Sequence, residues 1–352
     1  MNSIVSNIDE IPIVDLGQGL SGDRAQLADS LREICHNVGI FILTNHGVSK
    51  SLVEDTFRIG KTIFSLPQEQ KLLIDKRQSP HFRGWEGEGA EYTNNQPDIR
   101  EQVDMWSEHP ARNRAAEPAY LRLLGPNQWL PESVLPDHQK VMTRWFDEAG
   151  NLADELMSLL AIGLGLPSDY FEKMFGEERM SLTKLIRYPA TPQNMFGVNA
   201  HHDAGFLTVL AAGDTPGLET QNAANEWIPV PVIPDSFVIN LGEMLQAITG
   251  NYYVATPHRV FTKSERFSLG YFHGPSLETE LSQIELGPGY AEAVKNSQRH
   301  ATAGFMASTE DTKRGVEEMA GDLKASTYGD QLWNYFSRSY PENMALHYPP
   351  AE

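Results

Sequence analysis

The chain is expected to form a mainly β core with flanking helices, arranged as a double-sheet jelly roll, on three observations. Short extended runs at residues 206–210, 217–220, 227–230, 236–241 and 252–255 follow one another closely. Each is set off by turn chemistry, in Asp214-Thr215-Pro216-Gly217, Ile233-Pro234-Asp235 and Gly250-Asn251, and many short strands so spaced predict a sandwich or barrel. Apolar residues at helical spacing dominate the first half of the chain, outside this region. Finally, 352 residues with 40% hydrophobic content bury enough apolar surface for one large domain with appended helices.

Asp23 and Gln26 make a start resembling a capping box. The stripe Leu27, Leu31, Ile34 and Val38 then runs to Gly39, which predicts a helix stopped by glycine. A strand over residues 40–44 follows directly. Ser51 and Glu54 repeat the capping pattern, with Val53, Phe57, Gly60 and Phe64 on one face up to Pro67. From Asp137, the residues Val141, Trp145, Ala149, Leu152, Leu156 and Leu159 mark the longest helix, ending near Gly163 to Pro167. Such stripes are core faces. Residues 81–89 and 92–98 read as loops able to shape a pocket, and a polar, irregular stretch at 283–327 precedes a final helix around 329–339; a lid and a solvent-exposed insertion are both open for that stretch. The organisation expected is an N-terminal helix and strand region at residues 1–115, supporting helices at 116–180, the β core at 181–280, and a C-terminal loop and helix at 281–352.

A formal charge of −19 argues against phosphate-backbone binding, which needs clustered Lys and Arg, and against anionic membranes. Cys35 is the only cysteine, so an internal disulfide is impossible, as suits a reducing compartment. No basic region followed by an apolar run opens the sequence and no stretch is long enough to span a bilayer. A cytoplasmic protein acting on a small molecule, with neither nucleic-acid nor membrane partner, is the expectation.

The chemistry is carried by Ala200-His201-His202-Asp203 and by Pro257-His258-Arg259-Val260. His201 and Asp203 stand at i and i+2 of a segment read as a strand, so they project from one face while His202 points to the other. His258, far downstream, must arrive on another strand. Two imidazoles and one carboxylate form the facial triad of a non-haem Fe(II) oxygenase, with three coordination positions left open. His202, His46 and His273 are expected to be structural or supporting. Arg266 and Ser268 repeat the i, i+2 logic, placing a guanidinium and a hydroxyl on the same strand face.

Over residues 182–275 the chain resembles the isopenicillin N synthase-like superfamily of Fe(II) and 2-oxoglutarate-dependent oxygenases. The resemblance is carried by Leu185-Ile186-Arg187-Tyr188-Pro189, the ten residues from His201 to Leu210, the nine from Phe237 to Leu245, Thr256-Pro257-His258-Arg259-Val260 and Arg266-Phe267-Ser268. Residues 11–16, 39–47 and 332–336 resemble its outer regions. The resemblance implies a double-stranded β-helix, cupin-like core. It also implies Fe(II) on His201, Asp203 and His258, O2 as oxidant, and 2-oxoglutarate as co-substrate with its distal carboxylate on Arg266, Ser268 and Tyr188. A guanidinium fork suits that carboxylate; a surface ion pair with neighbouring charges is the plainer alternative for Arg266. Many members carry Asn two positions before the tyrosine, where this chain has Ile186. The implied reaction oxidises a C–H bond, by hydroxylation or otherwise, with release of succinate and CO2. Because Asp203 supplies the carboxylate ligand, halogenation is disfavoured.

Two other readings stand beside it. One is an oxidase like isopenicillin N synthase itself, which uses O2 but no 2-oxoglutarate; the other is a non-catalytic barrel, which predicts eroded ligands. The segment His81-Phe82-Arg83-Gly84-Trp85 resembles the substrate-facing arginine region of isopenicillin N synthase. That implies substrate binding by Arg83 and a carboxylate-bearing or strongly polar substrate, against the alternative of a surface arginine balancing Glu86, Glu88 and Glu91.

Overall fold

The computed structural model describes residues 11–93, 96–190, 195–222, 224, 226–297 and 327–349. Its larger sheet has eight strands in the order β1 (Ile13–Asp15), β2 (Ile40–Thr44), β12 (Phe237–Leu241), β9 (Leu207–Ala211), β14 (Arg266–His273), β7 (Leu182–Tyr188), β6 (Glu101–Trp106) and β3 (Gly84–Glu86). The smaller sheet has four, β11 (Trp227–Pro229), β10 (Leu218–Gln221), β13 (His258–Val260) and β8 (Val198–His201), and β4 (Tyr92–Thr93) pairs with β5 (Gln96–Pro97) in a separate hairpin. The jelly roll is therefore present, and β1, β2, β3 and β6, all from the first hundred or so residues, extend its larger sheet on both sides.

Alternation along each strand sends side chains to two cores. Val38, Ile40, Ile42, Ile186, Tyr188, Val198, Leu218, Val238 and Val260 fill the space between the sheets. Phe41, Leu43, Val209, Ile239, Leu269 and Tyr271 face the other way and meet the helices. The helices are α1 (Leu16–Ser21), α2 (Arg24–Asn37), α3 (Lys50–Ser65), α4 (Gln68–Lys71), α5 (His138–Gly163), α6 (Glu243–Ile248), α7 (Pro288–Asn296), α8 (Tyr328–Ser339) and α9 (Pro341–His347). Trp145 of α5 is wholly buried and donates from Nε1 to Thr183 Oγ1 at 3.1 Å, so its one polar atom is satisfied where it packs.

Helix α2 begins as its sequence predicts, with the Asp23 carboxylate accepting from Ala25 and Gln26 amides. Gly39 ends it with φ +76, and a Cβ there would lie 2.0 Å from the Val254 carbonyl oxygen, so only glycine permits the turn into β2. Helix α3 starts earlier than expected, with Ser49 rather than Ser51 at the cap position; the Ser49 amide donates to Glu148 of α5 at 2.9 Å.

Three further expectations are corrected. Residues 252–255 form a buried irregular loop, because their amides find partners off any ladder: Val254 donates to Cys35 O at 3.0 Å and Ala255 to Gln246 Oε1 at 2.7 Å. Residues 81–89 and 92–98, read as loops, contain β3 and the β4–β5 pair, and helix α6 occupies residues 243–248, to which the sequence assigns no element. Helix α7 interrupts the stretch expected to be irregular, with Pro288 at its start; most of the supposed lid, residues 298–326, lies outside the described residues.

Candidate metal and co-substrate site

His201 ends β8 and His258 opens β13, and the two are direct cross-strand partners. Their ring centroids lie 4.3 Å apart. Asp203 stands just past the end of β8, so the i, i+2 strand geometry does not by itself orient it. The larger sheet does that work: Asp203 Oδ2 accepts from Thr208 Oγ1 of β9 at 2.6 Å and from Asn240 Nδ2 of β12 at 2.8 Å. Its main chain is held too, since the Glu243 amide at the start of α6 donates to Asp203 O at 2.8 Å. A Cβ on neighbouring Gly242 would fall 2.0 Å from Gly205 O, which keeps β12 tight against this turn.

One ligand atom from each of His201, Asp203 and His258 lies within 4.8 Å of the others. His201 Nδ1 is 2.8 Å from Asn199 O, and His258 Nδ1 is 3.3 Å from Thr256 O. A proton on Nδ1 donated to those carbonyls leaves both Nε2 lone pairs for a cation, the usual arrangement for ligating histidines. Asn240 Nδ2 also lies 3.2 Å from His258 Nδ1; of the two partners, the carbonyl is the one compatible with ligation through Nε2. Burial and the neighbouring His258 lower the His201 pKa to about 3, so that ring is neutral at ordinary pH. For Asp203, burial pushes upward, but His258, His201 and the two hydrogen bonds outweigh it and bring the carboxyl below its usual range. A neutral His201 imidazole and an ionised Asp203 carboxylate suit a divalent ion.

Arg266, Tyr188 and Ser268 lie on the barrel-facing side of β14 and β7. Arg266 pairs across the strands with Tyr188, and Ser268 with Ile186. All three functional side chains are buried. Arg266 donates through Nε to Thr215 O at 3.2 Å and through Nη2 to Ala212 O at 3.0 Å, while Nη1 has no hydrogen-bond partner among the described residues. The guanidinium lies 5.3 Å from the Tyr188 ring. Burial pulls its pKa down, opposed by Tyr188. A buried guanidinium with an idle donor costs free energy unless an anion meets it, so this corner fits a carboxylate.

Arg83 is not brought to this site. It is fully buried rather than a surface residue, and its Nη1 donates to His81 O at 2.9 Å and Leu123 O at 2.7 Å. His202 turns away from the triad, with Nδ1 3.4 Å from Glu243 Oε1. His46 packs against Phe237 and His273 stacks on Phe175, both in packing roles. An open groove of about 870 Å³ lies elsewhere, between α3 and the ends of β9, β12 and β14, and is lined by Phe57, Ala212, Pro234 and Phe267 but by none of the triad. Asn240 and Thr208 were missed from sequence; an asparagine inside the apolar run Phe237-Val238-Ile239-Asn240-Leu241 was the available signal, because a buried amide needs a partner.

Two histidines and a carboxylate converging at the mouth of a double-sheet barrel, with a buried arginine on the adjoining wall, define the class of non-haem Fe(II) oxygenases. Residues 177–275 match the model of the 2OG-Fe(II) oxygenase superfamily, and residues 11–132 that of the non-haem dioxygenase in morphine synthesis N-terminal family. The chain is 31% identical over 293 residues to the 2-oxoglutarate-dependent dioxygenase frbJ of Dothideomycetidae sp., covering 80% of this chain and 78% of that protein. It is 26% identical to homoarginine-6-hydroxylase 2-ODD-C23.2 of Arabidopsis thaliana, with 81% of each chain covered. The fold matches that of a Neurospora crassa protein solved in complex with alpha-KG and thymine, with TM-score 0.67, 23% identity and coverage of 81% of this chain and 91% of that one. This chain belongs to the 2OG-Fe(II) oxygenase superfamily. It is a 2-oxoglutarate-dependent dioxygenase that uses Fe(II) to oxidise a small molecule, which sets aside both the oxidase and the non-catalytic alternatives. Among the described residues no helix is long and apolar enough to cross a membrane.

Proposed function

We propose that His201, Asp203 and His258 hold Fe(II), that Arg266 with Ser268 and Tyr188 holds the distal carboxylate of 2-oxoglutarate, and that the enzyme hydroxylates a C–H bond of a small polar molecule. One oxygen atom of O2 enters the product and the other enters succinate as CO2 leaves. The metal and co-substrate supply that redox chemistry when bound. The chain's own residues orient them: Thr208 and Asn240 fix the Asp203 carboxylate, the Asn199 and Thr256 carbonyls fix the imidazoles, and Arg266 sets the far end of the co-substrate.

The observation that carries this reading is the unsatisfied Nη1 of Arg266, a buried cation on the barrel-facing wall. A polar substrate is supported by the relatives named above, one of which holds thymine and another of which is named for homoarginine. The single buried Cys35 supports a reducing, cytoplasmic setting. Succinate release measured with Fe(II) and O2, with and without 2-oxoglutarate, tests the assignment in wild type and in His201→Ala, Asp203→Ala and His258→Ala. Each ligand variant is expected to lose turnover while His202→Ala keeps it. Full activity in His201→Ala, or none in a folded His202→Ala, would overturn the ligand set.

A further inference from the structure

Among the described residues, one side chain has four donors converging on it. The Glu91 carboxylate accepts from Arg100 Nη2 at 2.5 Å, Gln102 Nε2 at 2.6 Å, Lys184 Nζ at 3.0 Å and Tyr335 Oη at 3.1 Å. Gln102 is on β6, Lys184 on β7 and Tyr335 on α8, while Arg100 adjoins the start of β6. These are rigid supports. Glu91 itself comes from the partly exposed segment that follows β3. Within that segment, Gly89 N donates to Asp98 O and Asp98 N to Glu91 O, both at 2.9 Å. Gly87 and Gly89, the latter at φ +75, precede Glu91 and give the segment hinges.

The four donors share a wall with the co-substrate residues. Glu101 of β6 lies opposite Arg187 of β7, so continuing the register puts Arg100 opposite Tyr188, which in turn lies opposite Arg266. Gln102 lies opposite Ile186, itself opposite Ser268. Ile99 N donates to Gly197 O at 3.0 Å, which ties this strand entry to the approach of β8. Among the described residues, the buried Arg100 Nε has no hydrogen-bond partner.

The other buried charges on this wall are matched without Glu91. Lys76 pairs with Glu86 and Asp104, Arg100 lies 2.9 Å from Asp98, and Lys184 lies 3.5 Å from Asp104. Removing the Glu91 carboxylate therefore leaves a preformed set of donors without stripping the wall of its neutralising acids.

We propose that the four-donor pocket formed by Arg100, Gln102, Lys184 and Tyr335 is the docking point for a carboxylate of the prime substrate, and that the Glu91 side chain fills it as an internal surrogate until the substrate displaces it. This rests on the oxygenase reading above and adds a substrate class, small organic acids, and an internal competitor. Two cations, an amide and a phenol fixed on three elements match the bidentate needs of a carboxylate. An intramolecular competitor lowers apparent substrate affinity by the fraction of time the pocket is open, which reserves it for acids that reach deeper contacts.

The test uses the Fe(II)-loaded full chain with 2-oxoglutarate and O2, and follows succinate release with a panel of small aliphatic and aromatic carboxylic acids and their methyl esters. Acids are expected to stimulate release and esters not. Glu91→Gln should lower the half-saturating acid concentration by about 5-fold or more by removing the competitor, and Lys184→Met should raise it by about 10-fold. Circular dichroism confirms that each variant folds; should Lys184→Met fail to, Gln102→Leu replaces it, with the same direction expected. Equal stimulation by esters, an unchanged half-saturation in folded Glu91→Gln, or no stimulation by any acid in either protein overturns the proposal. Consumption of 2-oxoglutarate by wild type without added acid reports separately on the co-substrate assignment, so failure there is distinguishable.

Discussion

Arg266 and Arg83 are both wholly buried guanidinium groups, yet they are built for opposite ends. Arg83 immediately precedes β3; its Nη1 donates to the carbonyls of His81 and Leu123 and its Nη2 lies 3.5 Å from Ser107 O, so among the described residues only the inner nitrogen, Nε, lacks a partner. Arg266 also donates to two carbonyls, but they hold its Nε and Nη2 and leave Nη1 toward the barrel beside Tyr188. Burial alone therefore does not mark a binding arginine. What does is which arm of the fork the backbone leaves free, and which sheet face the strand turns it to.

The sharpest way to break this contrast is to remove each charge in turn. Arg266→Met is expected to raise the half-saturating 2-oxoglutarate concentration by about 100-fold, equivalent to about 3 kcal/mol for a lost charge-assisted interaction. Arg83→Met should leave that concentration unchanged and instead lower folding stability by about 2 kcal/mol, because carbonyls of separate segments lose a buried donor. Steady-state kinetics and urea unfolding read the two effects, and a 2-oxoglutarate defect in Arg83→Met would erase the distinction. Arg266→Lys keeps the charge but loses the fork, so a smaller rise of about 5-fold is expected. The smallest effects belong to the flanking hydroxyls: Tyr188→Phe and Ser268→Ala should each raise the same concentration by about 2- to 5-fold, the worth of a neutral hydrogen bond. Absence of any change in both would restrict the carboxylate's contacts to Arg266.

These two arginines also show where sequence reasoning reached and where it stopped. The placement of Arg266 was legible because Arg-x-Ser opens a strand whose alternation sets its face, while its role toward 2-oxoglutarate is the proposal made above. Arg83 was not, because it precedes a three-residue strand at a left-handed turn, with Phe82 at φ +58, and no periodicity fixes the direction of its side chain. The triad was legible from His-x-Asp and a distal His, although the strand ends at His201 and Asp203 is oriented from another sheet. Residues 252–255 looked extended by composition, but their amides bond to Cys35 and Gln246, contacts distant in sequence. The donors around Glu91 come from four separate segments, so no local spacing could announce them.

The direct pairing of His201 with His258, and the grip of Asn240 on Asp203, give the metal a mechanical office. An ion bound there would tie β8 to β13 within the smaller sheet and, through Asp203 and Asn240, pull that sheet toward β12 of the larger one. Metal affinity and closure of the barrel mouth are then one linked free energy: a ligand at about 100 times its dissociation constant adds about 2.7 kcal/mol to the folded state. Chelation would loosen the mouth first, quickening amide exchange in β8 and β13 while α5, packed on the far side of the larger sheet, keeps its protection. An ion held by these residues would thus serve both the chemistry and the clasp of the barrel.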